Sequence, residues 1–429
     1  MRTVTTKTID NPSEFKTQLL LWSNSFREVV FLDSNNYQQH YSNYDCILAV
    51  DAFTSIKTDY LKAFEDLHQY QSQIKDWLFG YLSYDLKNDV EDLQSNNFDG
   101  LHFPDLYFFQ PKKLFLLKEN QLEIQYLNLC DDEIDDDFNE IINLKNLCDF
   151  TTSRETKIVQ RISKEIYLDK VNKMLEHIHR GDIYEANFCM EFYAENAVIE
   201  PLEFYQKLNA ISEPPFAVYF KNNEHYLLSA SPERYLKKEN EKVISQPIKG
   251  TSKRFDDLAL DLVSKRELSA NQKERSENIM IVDLVRNDLS RTATKGSVTV
   301  AELCEVYTFK QVHQMISTIV STVENTTSPI EILRTTFPMG SMTGAPKVSA
   351  MQIIEKLEAT KRGLYSGAVG YFTPTGDFDF NVVIRSILYN AQNQYLSFSV
   401  GSAITSRSEP EKEYEECLLK AKAMFEVLS

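Results

Sequence analysis

Short apolar runs rich in β-branched and aromatic residues recur along this chain, and they are the feature that most limits its fold. Clear examples are residues 29–32 (VVFL), 46–50 (CILAV) and 216–220 (FAVYF). Runs of this length and composition, separated by polar turns, predict strands. The strands occur in groups, and longer helical stretches follow in groups of their own. This order predicts an α+β fold with antiparallel sheets, and it disfavours a regular alternation of strand and helix.

Two predictions concern particular strands. Residues 77–81 (WLFGY) predict a buried strand in which the glycine lets another backbone approach closely. Residues 380–388 and 395–400 predict a pair of neighbouring strands near the C-terminus.

Helical spacing is clearest between residues 166 and 178, where apolar side chains fall on one face. Ser163 precedes this stretch as an N-cap, and Gly181 follows it as a stop signal. Residues 255–287 are also predicted to be mostly helical, and a last helix is predicted to start near Pro410.

The 429 residues suffice for a large hydrophobic core, and the two parts of the chain differ in composition. Residues 1–150 are rich in aromatic residues and asparagine, and residues 150–160 (FTTSRETKIVQ) form a polar connection. We therefore predict an N-terminal subdomain over residues 1–150 and a second domain over residues 151–429, interlocked in one globule.

The overall charge narrows the choice of partners. A formal net charge of -17 disfavours nucleic acids and anionic membranes, since both attract basic surfaces.

The six cysteines are scattered without a CxxC pair, so neither a zinc site nor a disulfide framework is predicted. The N-terminus has no apolar signal region, and the chain has no apolar run long enough to span a membrane. These features predict a cytoplasmic protein without a membrane partner.

Two pairs of glutamates are spaced three residues apart in predicted helices. Glu274 and Glu277 form the first pair, and Glu413 and Glu416 form the second. Side chains at this spacing share one helix face, and two such pairs facing each other would make the all-oxygen site that Mg²⁺ accepts. Glutamates at this spacing are also common on solvated helices, so the pattern alone leaves both interpretations open.

The pentapeptide at residues 247–251 (PIKGT) carries the most reactive candidate. Lys249 stands between an apolar residue and a glycine, where the predicted strand at residues 243–245 gives way to a turn. Shielding from water there would favour loss of its proton, and a neutral amine is a nucleophile. An isolated lysine at a strand end is ordinarily a solvated side chain without a chemical role.

Three further features concern anions or protons. Residues 338–347 (PMGSMTGAPK) offer backbone amides and a helix N-terminus to an anion, although they do not match a P-loop. Arg385 is the one cation in the apolar run 382–388, and a buried arginine needs an anion from the protein or from a ligand. His313 lies in a mostly apolar run, where a histidine is usually a core residue with satisfied hydrogen bonds.

Seven motifs in order make the second part of the chain similar to the chorismate-utilising enzymes, and most of all to the component I subunits of aminodeoxychorismate synthases. They are GDIYEAN at residues 181–187 (GDIYQxN in the family), SPER at 231–234, PIKGT at 247–251, ENIMIVDLVRND at 277–288, GSMTGAPK at 340–347, RGLYSG at 362–367 and EYEE at 413–416. The resemblance runs from about residue 160 to residue 429. It implies large antiparallel sheets packed as a sandwich with flanking helices, and it makes residues 151–429 the catalytic domain.

The roles of individual residues are also implied by this resemblance. Lys249 would be a nucleophile, Glu233 its general acid, and His313 a residue beside the leaving hydroxyl or the pyruvyl side. The substrate would be held by Arg385, Tyr365, Thr343 and Gly344, with backbone amides near Gly401 and Ala403. The ligands of Mg²⁺ would be Glu277 and Glu416, with Glu274 and Glu413 near its waters.

The residue at position 249 separates activities within the family. Anthranilate synthases carry alanine there, whereas the aminodeoxychorismate synthases that form a covalent intermediate carry lysine. The resemblance therefore implies a transferase that aminates chorismate at C4 to give 4-amino-4-deoxychorismate, the precursor of 4-aminobenzoate and folate. The alternatives are anthranilate synthase component I, an isochorismate or salicylate synthase, and a non-catalytic chorismate-binding protein.

Amination needs ammonia, and the sequence bears on its source. None of the six cysteines has the glycine-flanked turn of a glutamine amidotransferase nucleophile. A separate glutamine amidotransferase subunit is therefore the predicted partner, as the resemblance also implies.

The chain departs from the family at Gly401-Ser402-Ala403-Ile404, where relatives have a Gly-x-Gly-Ile turn. Alanine keeps its backbone N–H, so anion binding survives there if φ is negative.

Overall fold

The computed structural model describes residues 1–37, 41–144, 156–310 and 312–428. In this part of the chain the strands are β1 (Arg2–Thr8), β2 (Glu28–Asp33), β3 (Cys46–Thr58), β4 (Leu78–Leu82), β5 (Leu106–Lys118), β6 (Gln121–Leu127), β7 (Val159–Gln160), β8 (Glu185–Ala194), β9 (Phe216–Asn222), β10 (His225–Ser231), β11 (Arg234–Glu239), β12 (Lys242–Gln246), β13 (Ile248–Lys253), β14 (Thr299–Thr308), β15 (Val312–Thr322), β16 (Gly344–Ala345), β17 (Ala368–Phe372), β18 (Phe378–Val382), β19 (Ser386–Asn390) and β20 (Tyr395–Thr405). The α-helices are α1 (Pro12–Ser23), α2 (Ala63–Ile74), α3 (Lys87–Val90), α4 (Ile134–Asn143), α5 (Lys164–Arg180), α6 (Pro201–Ser212), α7 (Leu258–Ala270), α8 (Gln272–Ser290), α9 (Pro329–Thr336), α10 (Lys347–Leu357) and α11 (Pro410–Leu428).

Antiparallel ladders join these strands into one continuous hydrogen-bonded network. Strands from both ends of the chain take part, because β2 pairs with β9 and β4 pairs with β17. The predicted boundary between residues 150 and 151 lies outside the described residues, as does part of the predicted connection over residues 150–160.

Most buried apolar side chains of the described residues form a central layer and two outer layers. Along β5, Tyr107 and Phe109 contribute to the central cluster, while Leu106 and Phe108 contribute to an outer one. The described members of the central cluster lie on strands and in loops. One outer cluster also contains side chains of α2, α8 and α9, and the other contains side chains of α1, α4, α5, α6, α10 and α11. Alternation of this kind is how two packed sheets fill their shared interior. The predicted α+β sandwich with flanking helices is therefore confirmed.

The predicted buried strand at residues 77–81 is confirmed as β4, and its glycine is enclosed by β5. A Cβ added to Gly80 would lie 1.9 Å from the Tyr107 carbonyl oxygen and 2.7 Å from the Phe108 Cα. Alanine at position 80 is expected to lower the free energy of unfolding by about 3 kcal/mol, because the backbones of two central strands must separate. Urea denaturation would measure this loss.

A contrasting variant is Gly181→Ala, since a Cβ there meets nothing within 4 Å and only the φ of +88° is strained. Its expected cost is about 1 kcal/mol. Equal losses in the two variants would contradict the steric explanation for Gly80.

The predicted helix signals are also confirmed. The Ser163 hydroxyl accepts the backbone N–H of Ile166 at the start of α5, and Gly181 closes the helix in the left-handed region. The predicted helical stretch 255–287 corresponds to α7 and α8, and the last helix starts at Pro410 as predicted.

The prediction of one continuous strand over residues 380–388 is wrong. The segment is divided into β18 and β19, and Arg385 between them has a φ of +51°. A residue in the left-handed region cannot continue an extended strand, so the two halves join different neighbours. β18 pairs with β11 and β17, whereas β19 pairs with β10 and β20. The predicted pairing with residues 395–400 thus holds only for the second half.

No helix within the described residues has the length and apolar character needed to cross a membrane.

Candidate active site

Four of the predicted substrate-binding residues flank one strand, β8. On one side β20 runs antiparallel to β8 and carries Gly401 and Ala403. On the other side β16 begins at Gly344, and the Thr343 carbonyl just before it accepts the Asn187 N–H at 2.8 Å. Residues that are far apart in the sequence are therefore neighbours across this strand.

Residues 401–404, which stand where relatives have a Gly-x-Gly-Ile turn, lie inside β20 in this chain. Ala403 lies in extended backbone and does not have a positive φ. Its N–H can therefore still bind an anion, which requires a negative φ. Gly401 has a steric reason to be glycine, since a Cβ there would lie 2.6 Å from the Cys189 Sγ.

The pentapeptide at residues 247–251 forms part of a separate strand, not the end of the preceding one. β13 pairs with β15, and the register between them shifts between Ile248 and Thr251. Gly250 has a φ of +93°, and a Cβ on it would lie 3.1 Å from Glu274 Oε2 on α8. Asn278 of the same helix donates to the Lys249 carbonyl at 3.4 Å. The helix that carries the first glutamate pair thus lies directly against the candidate nucleophile.

The Lys249 side chain is largely shielded from water, and it contacts one carboxylate and is influenced by the charges of others. Its Nζ lies 3.1 Å from Glu185 Oε1, and the exposed fractions of the two side chains are 12% and 2%. Burial acts to lower the pKa of Lys249, but Glu185, Glu277 and Glu233 together hold this pKa above its ordinary value. The lysine is therefore not a solvated side chain, and the nearby carboxylates outweigh the effect of burial on its pKa.

Glu233 lies between β10 and β11 and is only 3% exposed. Burial raises the pKa of its carboxyl to about 7, although a hydrogen bond with Ser341 and the charges of Lys249 and Arg385 act in the opposite direction. A carboxyl with this pKa holds a proton at neutral pH in a substantial fraction of molecules, so it can act as a proton donor.

Arg385 and Glu233 are held together through their backbones. Arg385 accepts the Ala230 N–H at 3.1 Å, and Glu233 accepts the Val382 N–H at 3.0 Å. Burial lowers the pKa of Arg385, and the charge of Glu233 opposes this effect. Within the described residues no ion pair holds the Arg385 guanidinium. A half-buried guanidinium that forms no ion pair with the described residues is suited to a ligand carboxylate.

The predicted partner of Arg385, Tyr365, is buried near the same segment. The Tyr365 hydroxyl accepts a hydrogen bond from the Cys189 thiol at 3.8 Å, and burial raises its pKa well above the ordinary value. The Ser366 N–H donates to the Val383 carbonyl at 2.8 Å. This bond ties the strand break at Arg385 to the loop that carries Tyr365.

The two predicted glutamate pairs come together between α8 and α11. Lys273 lies between them, with its Nζ 3.8 Å from Glu277 Oε1 and 3.7 Å from Glu413 Oε1. As they stand, no three His, Cys, Asp or Glu side chains of the described chain form a metal-binding group. The Glu277 Oε1 atom is buried and accepts no hydrogen bond from a described residue.

The pKa values of three of these carboxylates are shifted from their ordinary values. Burial raises the pKa of Glu277 to about 7 and also raises that of Glu274. Burial would raise the pKa of Glu416 too, but Lys420 holds it below the ordinary value. Carboxylate oxygens are the ligands that a hard divalent cation prefers, and Glu277 Oε1 accepts no hydrogen bond from a described residue, but Lys273 lies where such a cation would have to bind.

His313 has both ring nitrogens occupied. Nδ1 lies 3.1 Å from the Thr308 hydroxyl, and Nε2 lies 3.0 Å from Asp261 Oδ1. The side chain is buried, and these contacts match the ordinary interpretation of a satisfied core histidine. A catalytic role for His313 stays a prediction, and this arrangement leaves neither nitrogen free for it.

The lysine at the end of the predicted anion-binding segment 338–347 is also occupied. Lys347 Nζ lies 2.6 Å from Asp288 Oδ2 and donates to the Pro338 carbonyl at 3.0 Å. Lys347 is therefore engaged by Asp288 and by the backbone of this loop.

Two residues beside the predicted site were missed at the level of sequence. Glu185 contacts Lys249. The sequence feature that could have identified it is the glutamate that replaces glutamine in the GDIYQxN motif. Lys273 joins the two glutamate pairs, and nothing in its own spacing indicated this position.

Comparison with known proteins gives the site a context. Residues 27–426 match the family model described as chorismate binding enzyme. An anthranilate synthase component I-like protein of Synechocystis sp. is 33% identical over 82% of this chain and 72% of its own length. The aminodeoxychorismate synthase component 1 of Bacillus subtilis is 31% identical over 81% of this chain and 76% of its own length. Some other curated relatives are longer, and the chain spans 43% of a rice protein and 30% of an Arabidopsis protein.

Solved structures share the fold. Anthranilate synthase component I from Streptococcus pneumoniae has a TM-score of 0.77 at 24% identity, covering 90% of this chain and 93% of that one. The menaquinone-specific isochorismate synthase from Escherichia coli has a TM-score of 0.78 at 15% identity, covering 100% of this chain and 95% of that one.

Proposed function

The chain belongs to the chorismate-binding enzymes, and we propose that it aminates chorismate at C4 to give 4-amino-4-deoxychorismate. The observation that carries this proposal is the Lys249 side chain, which is 12% exposed, contacts the Glu185 carboxylate and lies in the same site as a glutamate with a pKa of about 7. A site that only binds an anion needs neither an enclosed amine nor a proton donor. Similarity to relatives named aminodeoxychorismate synthase, among them the protein of Bacillus subtilis, supports the same reaction.

The proposed reaction has two displacement steps. Lys249 attacks C2 of chorismate, the double bonds shift, and the C4 hydroxyl leaves as Glu233 protonates it. Ammonia then adds at C4 and Lys249 leaves. Two allylic displacements divide a barrier that direct replacement of hydroxide by ammonia would meet in one step.

The rest of the site would orient the substrate. Arg385 and Tyr365 would hold the enolpyruvyl carboxylate, and Thr343, Gly344 and the backbone near Gly401 and Ala403 would shape the pocket. Glu277 and Glu416 would hold Mg²⁺, with Glu274 and Glu413 near its waters. When bound, this ion would offset the negative charge of the ring carboxylate. Lys273 would have to leave its position between Glu277 and Glu413 for this ion to bind.

Ammonia is proposed to come from glutamine through a separate amidotransferase subunit. Five cysteines lie within the described residues, and all five are buried. Burial raises the pKa of each of these thiols, which makes them poor nucleophiles. Cys148 lies outside the described residues.

One incubation tests the proposal and separates the alternatives. The pure protein is mixed with chorismate, Mg²⁺ and ammonium, and the products are identified by mass. We expect aminodeoxychorismate, and we expect none when glutamine replaces ammonium. Anthranilate or isochorismate as the main product would assign the chain to another branch of the family. Unchanged chorismate would favour a binding protein, and glutamine-dependent product would contradict the separate subunit.

A further inference from the structure

We propose that Glu185 is the proton acceptor for Lys249. It takes the proton that the lysine must lose in order to attack, and it returns this proton when the lysine leaves. The inference rests on the proposed function, because it assigns a further residue to the same covalent step.

The contact between the two side chains is direct. Glu185 Oε1 lies 3.1 Å from Lys249 Nζ, which is hydrogen-bond distance for a proton transfer. Glu185 is 2% exposed and Lys249 is 12% exposed, so water has little access to the pair. A proton that leaves Lys249 therefore needs an acceptor inside the protein.

The second carboxylate oxygen of Glu185 has no hydrogen-bond partner among the described residues, and this favours transfer of the proton to Glu185. Glu185 Oε2 is buried and has no hydrogen-bond partner in the described part of the chain. The charge of Glu185 is thus balanced mainly by Lys249. If Lys249 became a neutral amine while Glu185 stayed ionised, the site would contain an unpaired buried charge, which is costly. Transfer of the proton between them leaves both groups neutral.

The backbone fixes Glu185 in this position. It is the first residue of β8, and it lies opposite Ala345 on one side and Thr405 on the other. A Cβ added to Gly344 would lie 2.2 Å from the Glu185 carbonyl oxygen. Glycine at position 344 thus allows its backbone to lie close to the start of β8 and to hold Glu185 in place. This is one way in which Gly344 would shape the pocket.

The neighbouring carboxylates are less suited to the task. Glu233 has to deliver a proton to the leaving hydroxyl in the same step, so it cannot also accept one from Lys249. Glu277 influences Lys249 through its charge, but its ion pair among the described residues is with Lys273.

The proton balance closes over the two steps. In the first, a proton moves from Lys249 Nζ to Glu185 Oε1, the amine bonds to C2, and the C4–O bond breaks as Glu233 converts the departing hydroxyl to water. In the second, ammonia bonds to C4 and the C2–N bond breaks, with its electron pair returning to Lys249. Lys249 then regains its proton from Glu185, and Glu233 takes a proton from the new ammonium group.

The variant Glu185→Gln tests this role, because glutamine keeps the size of the side chain and can still accept a hydrogen bond but cannot take up the proton. Glutamine also occupies this position in the GDIYQxN motif, so the fold can accommodate it. Rapid mixing with chorismate and Mg²⁺ without ammonium, followed by intact-mass measurement, gives the rate at which the Lys249 adduct forms. We expect E185Q to slow adduct formation and kcat at least tenfold, with the KM for chorismate changed by less than about threefold.

A second variant distinguishes proton transfer from simple positioning. Glu185→Asp retains a carboxylate at a greater distance, and it is expected to form the adduct faster than E185Q. Adduct formation by E185Q at the rate of the unmodified protein would overturn the role of Glu185 while leaving the proposed function intact. The absence of both adduct and aminated product in the unmodified protein would overturn the proposed function and this inference together.

Discussion

Arginine in place of Lys249 is expected to lower the rate of C4 amination at least a hundredfold, or about 3 kcal/mol in the activation barrier. Arginine keeps the positive charge that Glu185 and Glu277 surround, but it stays protonated and cannot attack C2. The measurement is initial velocity with chorismate, Mg²⁺ and saturating ammonium, together with intact mass. We also expect that K249R forms no covalent adduct.

A matched control for this substitution is Lys16→Arg. Lys16 is similarly shielded from water, and its Nζ lies 2.8 Å from Asp33 Oδ1, so the same exchange is made beside a carboxylate. Lys16 is not a predicted site residue, and K16R is expected to retain activity close to that of the unmodified protein. Full activity of K249R under saturating ammonium would rule out covalent catalysis by Lys249.

Glutamine in place of Glu233 is expected to lower the rate about a hundredfold or more, since the leaving hydroxyl would lose its proton donor. The pKa of about 7 also predicts the pH dependence of the unmodified protein. A general acid must be protonated to act, so the rate should fall as the pH rises through about 7. The E233Q variant should lack this decline, and pH profiles of kcat/KM for the two proteins would show the difference. The same decline in both would assign it to another group.

The same substitution makes a second, independent prediction about stability. The raised pKa means that folded protein binds this proton more tightly than unfolded protein, so the associated stability is present at low pH and is lost as the pH rises from about 4.5 to about 7. Glutamine does not ionise, so E233Q is expected to be more stable than the unmodified protein at pH 8, by up to about 3 kcal/mol. Urea denaturation at pH 5 and pH 8 would measure this, and an equal difference at both values would contradict it.

Local features of the fold could be predicted because their causes lie within a few residues. Ser163 and Gly181 mark the ends of α5 through bonds and a φ angle that the neighbouring residues supply. The strand at residues 77–81 was identified from its apolar run and its glycine. The prediction failed at residues 380–388. The apolar pattern of this run does not indicate that Arg385 has a positive φ and divides it into two strands.

The sequence alone therefore determined the candidate residues: a lysine in an unusual setting, two glutamate pairs at helical spacing, and motifs that resemble those of one family. Which groups lie beside them was decided only by the tertiary structure. β8 brings Glu185 to Lys249, and the approach of α8 to α11 places Lys273 between Glu277 and Glu413. The direction of the pKa shift of Lys249 also depends on the folded structure, because burial and the charges of several distant carboxylates act on it in opposite senses. Spacing along a helix is a local property, whereas the balance of burial and charge at a site is set by elements that meet only when the chain folds.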